Sequence, residues 1–114
     1  MKILFLENHT IFAEQVIREF LQGHSVTVVP SIVQAREVAA RQQFDVVLCD
    51  YDLDDGKGTE FVQECRAHRS TIPVIAVSAH DQGNAALVQA GASAVCCKME
   101  FNRIQQVIDR CQRG

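Results

Sequence analysis

The sequence contains no long apolar run, no cluster of basic residues and no Cys-x-x-Cys pair. The first absence excludes a membrane-spanning helix, which needs about 20 consecutive apolar residues. The second, with a net charge of −3, argues against direct nucleic-acid binding. The third, with an odd count of five cysteines, argues against a zinc site or a disulfide framework. Cys49, Cys65, Cys96, Cys97 and Cys111 therefore read as reduced thiols used as small apolar side chains. His9, His24, His68 and His80 are scattered without ligand spacing and read as structural or solvent-facing. The opening MKILFLENHT turns polar too soon for a signal peptide. Repeats, low-complexity tracts and linkers are also missing. Together these absences predict a cytoplasmic protein with no membrane contact.

What is present fits one domain over residues 1–114, with 47% hydrophobic and 22% charged residues. Short apolar runs alternate with segments of helical period. Lys2 to Leu6 reads as a strand, followed by a helix with an apolar face at Phe12, Ala13, Val16, Ile17, Phe20 and Leu21. Gly23 ends it, and Ser25 to Val29 is a second strand. Ser31 and Gln34 have capping-box spacing for a helix running to about Arg41. Val46 to Cys49, Val74 to Val77 and Ala94 to Cys97 are three further strands. Helices are expected at about Thr59 to His68 and Gln82 to Ala90, the latter stopped by Gly91. A last helix buries Phe101, Ile104, Val107, Ile108 and Cys111. Strands apolar on both faces are a mark of a parallel sheet covered by helices on both sides. The pattern predicts an α/β fold: a (βα)5, flavodoxin-like three-layer arrangement with parallel strand order 2-1-3-4-5.

Sites in open α/β sheets form at the carboxyl ends of the strands. The first strand ends in Glu7 and Asn8, the third in Asp50 with Asp52, Asp54 and Asp55 behind it, the fourth in Ser78 and the fifth in Lys98. Taken singly, each has an ordinary explanation as a cap, a turn residue or a solvated charge. Jointly they place carboxylates, an amide, a hydroxyl and an ammonium at one sheet edge. Carboxylates and carbonyls suit Mg²⁺, a hard ion with oxygen ligands. A carboxylate can attack phosphorus, and a lysine can pair with phosphate oxygens.

Four segments resemble the receiver domain of two-component response regulators, and the resemblance covers essentially the whole chain. They are KILFLENHTIFA, FDVVLCDYDLDDGKGTEFV with Gly58 at the loop's glycine, IPVIAVSA, and AGASAVCCK. The resemblance implies Asp50 as phosphoacceptor, Ser78 and Lys98 as partners of the phosphoryl group, and Mg²⁺ held by Glu7, Asn8, Asp50 and the backbone carbonyl of Asp52. It implies a histidine kinase or phosphotransfer protein as donor. It further implies a downstream effector docking on the face from strand 4 to helix 5, with a second copy of the chain as another candidate partner. The chain would be a signalling switch rather than a turnover enzyme.

The sequence departs from the family pattern at four positions. Asn8 stands where a second acidic residue is usual, which weakens cation binding although an amide oxygen can still coordinate. Val95 replaces an aromatic residue, Met99 follows Lys98 in place of proline, and Asp54 occupies another position where proline is common. A non-proline cis bond after Lys98 would cost about 2.5 to 4 kcal/mol, so a trans bond is expected. The departures define an alternative: a pseudo-receiver that keeps the scaffold as an interaction module with little phosphoryl chemistry. A haloacid-dehalogenase-like phosphatase is suggested by Asp50-x-Asp52, but that family ends in a further acidic motif and this sequence shows none after Lys98. An EF-hand reading from Asp50 fails because Asp55 and Phe61 stand where glycine and glutamate are required.

Overall fold

Side chains of the first strand point alternately to two sides, and this alternation sets the layers. In the computed structural model, which describes residues 1–113, Ile3 and Phe5 enter one apolar cluster while Leu4 and Leu6 enter another. The elements run β1 (Lys2–Leu6), α1 (Thr10–Phe20), β2 (Ser25–Val29), α2 (Ile32–Arg41), β3 (Val46–Cys49), α3 (Gly58–Ala67), β4 (Val74–Ala76), α4 (Asp81–Ala90), β5 (Ala94–Val95), a 3-10 segment (Lys98–Arg103) and α5 (Ile104–Arg113). The five strands pair in parallel in the order 2-1-3-4-5, as the alternation of strand and helix predicts. The first cluster joins Ala13, Val16, Phe101, Ile104 and Ile108 to one face of the sheet; the second joins Ile32, Ala35, Phe61, Val62 and Leu87 to the other. Burying a leucine, isoleucine or phenylalanine side chain contributes about 1.5 to 3 kcal/mol, so these two layers supply the main driving force.

Some element boundaries differ from the sequence expectation, each for a local reason. The fifth strand stops at Val95, because the chain turns into a 3-10 segment at Lys98. Its edge still follows the sheet, since Cys96 N donates to Ala76 O at 2.8 Å and Lys98 N to Ser78 O at 3.4 Å. The loop after β3 contains a small antiparallel hairpin in which Asp52 pairs with Lys57 and Leu53 with Gly56. Gly58 opens α3 rather than lying in the loop. The peptide bond after Lys98 is trans. Ser31 caps α2 as expected, its hydroxyl accepting from Gln34 N at 3.1 Å, and Gly91 ends α4 with a φ of 126°. Cys96 is buried while Cys97 is half-buried, and all five cysteines are free thiols.

Two ties across the fold are invisible to local patterning. Arg66 donates to Gly91 O, Ser70 O and Ile72 O, each at 2.9 Å, and so clamps the end of α3 to the turn before β5. Asp55 accepts from Ile32 N at 2.7 Å and Val33 N at 3.0 Å, capping α2 from a distant loop. Those backbone hydrogen bonds hold the Asp55 carboxyl below its ordinary value of 3.8. Because the folded value is depressed, the stabilisation is complete above that ordinary value and is lost as pH falls through the lowered one. Asp55→Ala is therefore expected to lower Tm at neutral pH. Thermal melts of both proteins should show the gap closing as the pH drops below the carboxylate range, and a gap independent of pH would contradict this cap.

Candidate functional site at the carboxyl edge

The sheet register sets the site residues side by side. Glu7 N donates to Val29 O at 2.9 Å, Asp50 N to Leu6 O at 3.1 Å and Val77 N to Cys49 O at 3.0 Å, so the strand ladder continues to the carboxyl edge. Glu7 and Asp50 are buried there, with relative exposures of 1% and 5%. Two buried carboxylates this close need a counter-charge. Lys98 supplies it: Nζ lies 2.8 Å from Glu7 Oε1 and 2.9 Å from Asp50 Oδ2. The Lys98 stem crosses the edge of the core, with Nζ 4.9 Å from the centre of the Phe12 ring. Burial works to lower the Lys98 ammonium's pKa, but the hydrogen bonds and charges of Glu7 and Asp50 outweigh it and hold it above 10.5.

The remaining oxygens are arranged around this bridge. Asp50 Oδ1 accepts from Tyr51 N at 2.8 Å. Glu7 Oε2 accepts from His9 N at 3.1 Å and lies 3.2 Å from His9 Nδ1. Glu7, His9 and Asp50 each present one ligand atom within 4.8 Å of the others. Asn8 Oδ1 is buried without a hydrogen-bond partner among the described residues, while its Nδ2 donates to Asp54 Oδ1 at 3.2 Å. A buried amide oxygen left without a donor, beside two carboxylates, is a set of atoms that fits a hard divalent cation. The Asp52 side chain is exposed and forms an ion pair with Lys57.

Ser78 is buried at the end of β4, and its hydroxyl accepts from His80 N at 3.1 Å. Its backbone is fixed by Asn84 of α4: Ser78 N donates to Asn84 Oδ1 at 2.8 Å and Asn84 Nδ2 to Ser78 O at 2.9 Å. Two glycines permit these approaches. A Cβ on Gly58 would lie 2.0 Å from Asp50 O, and one on Gly83 would lie 2.8 Å from Ser78 Oγ and 3.0 Å from Tyr51 Cβ. Glu7, Asn8, Asp50, Ser78 and Lys98 thus occupy the edge that strand endings predict. Strand endings alone do not point to His9, Gly83 or Asn84. His9 carried a visible signal, being two residues after Glu7, whereas Gly83 and Asn84 show none beyond a glycine and an amide early in a helix.

An open, doubly wound sheet with carboxylates, a hydroxyl and one ammonium at its carboxyl edge defines a class of α/β proteins built to hold charged groups there. A family model described as the response regulator receiver domain matches residues 3–109, and the chain belongs to that family. The response regulator protein PilR of Pseudomonas aeruginosa is 30% identical over 81 residues, covering 68% of this chain. The chain spans only 18% of that relative's length. The receiver domain of the sensor histidine kinase PA1611 from Pseudomonas aeruginosa, solved with a magnesium ion coordinated in its active-site cleft, superposes with a TM-score of 0.81. It is 27% identical and is matched over 99% of this chain and 98% of its own. The receiver domain of the Francisella response regulator 1452 shares the fold, with a TM-score of 0.86 at 18% identity over 98% of this chain and 96% of its own.

The Lys98 bridge has a thermodynamic signature of opposite sign on its two sides. Lys98→Met leaves two buried carboxylates facing each other and is expected to destabilise the fold by about 2 to 4 kcal/mol. Asp50→Asn leaves a neutral Glu7–Lys98 pair and is expected to stabilise it by roughly 1 kcal/mol. Urea unfolding measures both, and destabilisation of similar size by both variants would contradict the arrangement.

Proposed function

We propose that this receiver domain accepts a phosphoryl group on Asp50 and uses the resulting change at the site to alter partner binding. The observation that carries the reading is the position of Lys98 Nζ against the Asp50 and Glu7 carboxylates. A cation held there is ready to meet the added charge of a phosphoryl group on Asp50. An Asp50 carboxylate oxygen attacks phosphorus, the bond from phosphorus to its leaving group breaks, and an acyl phosphate forms. The leaving group is the imidazole of a phosphohistidine on a histidine kinase or phosphotransfer protein, or acetate when acetyl phosphate is the donor.

Glu7, Asn8, Asp50 and the backbone carbonyl of Asp52 would hold Mg²⁺. Bound there, the ion supplies charge neutralisation for the incoming phosphoryl group and the attacking carboxylate. Lys98 pairs with one side of the phosphoryl group. The hydroxyl of Ser78, a buried residue whose backbone is fixed by Asn84, is the donor for another phosphoryl oxygen. When Ser78 and Lys98 reorganise around the new charge, the segments that carry them move with them, and the face from β4 to α5 is the surface that changes for an effector or a second copy of the chain. Val95 is exposed on β5 where an aromatic side chain is common in the family, so a ring does not carry this response. The chain acts as a switch that is loaded and slowly emptied, with no turnover of a diffusing substrate.

Incubation with acetyl phosphate and Mg²⁺, followed by intact-mass measurement, is expected to give one phosphoryl adduct. The adduct should be absent from Asp50→Asn and from reactions containing a chelator. Failure of the wild type to form an adduct, where a known receiver forms one, would favour an interaction module without phosphoryl chemistry.

A further inference from the structure

Three acidic residues follow Asp50 closely in the loop, and two of them are committed elsewhere. Asp52 pairs with Lys57, and Asp55 caps α2 through Ile32 N and Val33 N. Asp54 alone turns to the site, where its Oδ1 accepts from Asn8 Nδ2 at 3.2 Å. Its own backbone N donates to Pro30 O at 3.0 Å, which anchors the loop beside β2.

This contact matters because Asn8 is an amide. A carboxylate at position 8 would present an oxygen whichever way it turned. An amide presents an oxygen in one orientation and an amino group, which repels cations, in the other. With Nδ2 engaged by Asp54, Oδ1 is left buried and unpartnered. A flipped amide would set its oxygen against the Asp54 carboxylate and its amino group where Oδ1 now lies. Both contacts are unfavourable.

We propose that Asp54 is a positioning residue for cation binding: it locks the Asn8 side chain with its oxygen free to serve as a ligand. The inference rests on the phosphoryl-switch reading and specifies how its cation site works with an amide. It makes residues 8 and 54 a coupled pair, so a carboxylate at position 8 removes the need for Asp54.

The test is a double-mutant cycle read by Mg²⁺ titration. Tyr51, next to Asp50 in the sequence, is the sole tyrosine in a chain without tryptophan, so its intrinsic fluorescence, backed by isothermal titration calorimetry, reads the Mg²⁺ titration. Asp54→Ala is expected to weaken Mg²⁺ binding about tenfold, and Asn8→Asp to strengthen it. In the Asn8→Asp background the Asp54→Ala change is expected to cost less than about threefold. Thermal melts establish that each variant is folded. Unchanged affinity of Asp54→Ala overturns the proposal, and so do equal losses in the two backgrounds, which would mean charge acting at a distance rather than orientation of the amide. A wild type and an Asn8→Asp variant that both show no saturable Mg²⁺ response would instead remove the phosphoryl-switch reading, and this inference with it.

Discussion

One ammonium group allows two carboxylates to occupy the buried edge of this sheet. Without Lys98, Glu7 and Asp50 would face each other unpaired in a poorly solvated place, at a cost of about 2 to 4 kcal/mol. The bridge draws on three strands, because Glu7 follows β1, Asp50 follows β3 and Lys98 follows β5. It therefore exists only when the sheet has its full order and register. A slip of one residue would turn every site residue to the wrong face. The chemistry at the edge and the packing of the core are consequences of the same pairing.

The surroundings of the bridge are built for close approach. Gly58 lets α3 begin directly against the Asp50 backbone, and Gly83 lets α4 come down on Ser78 and Tyr51. Asn84, from the same turn of α4, holds both backbone polar groups of Ser78. The helices therefore do more than cover the sheet. They set the positions of the hydroxyl and of the aspartate backbone, and the polar atoms left over are the carboxylate oxygens and the Asn8 amide oxygen. In a site assembled this way the fold itself holds the charged groups side by side.

Much of this arrangement could be read from the sequence, because parallel sheets have a strong grammar. Runs such as Val46–Cys49 are apolar on both faces, glycines such as Gly91 stop helices, and the residues after each strand must meet at one edge. That logic places Glu7, Asn8, Asp50, Ser78 and Lys98 together without coordinates. It does not reach the 3-10 segment at Lys98, since a short strand and a tight turn share the same composition. It also misses contacts between residues far apart in sequence whose types are unremarkable. Asp55 on the α2 amides, Arg66 on three carbonyls and Asp54 on Asn8 are all of this kind, and each depends on where a loop lies in space. His9 falls between the two cases: its position after β1 was visible, but its contact with Glu7 depends on the turn of the chain.

The central claim is that Asp50, backed by Lys98 and the Glu7–Asn8 pair, is a seat for a phosphoryl group that requires a divalent cation. Fluorine NMR of the protein with beryllofluoride, a phosphoryl mimic, tests this without relying on a covalent product. The account predicts bound fluoride resonances in the presence of Mg²⁺ that vanish when the ion is chelated. A spectrum of free fluoride species alone under both conditions would contradict it.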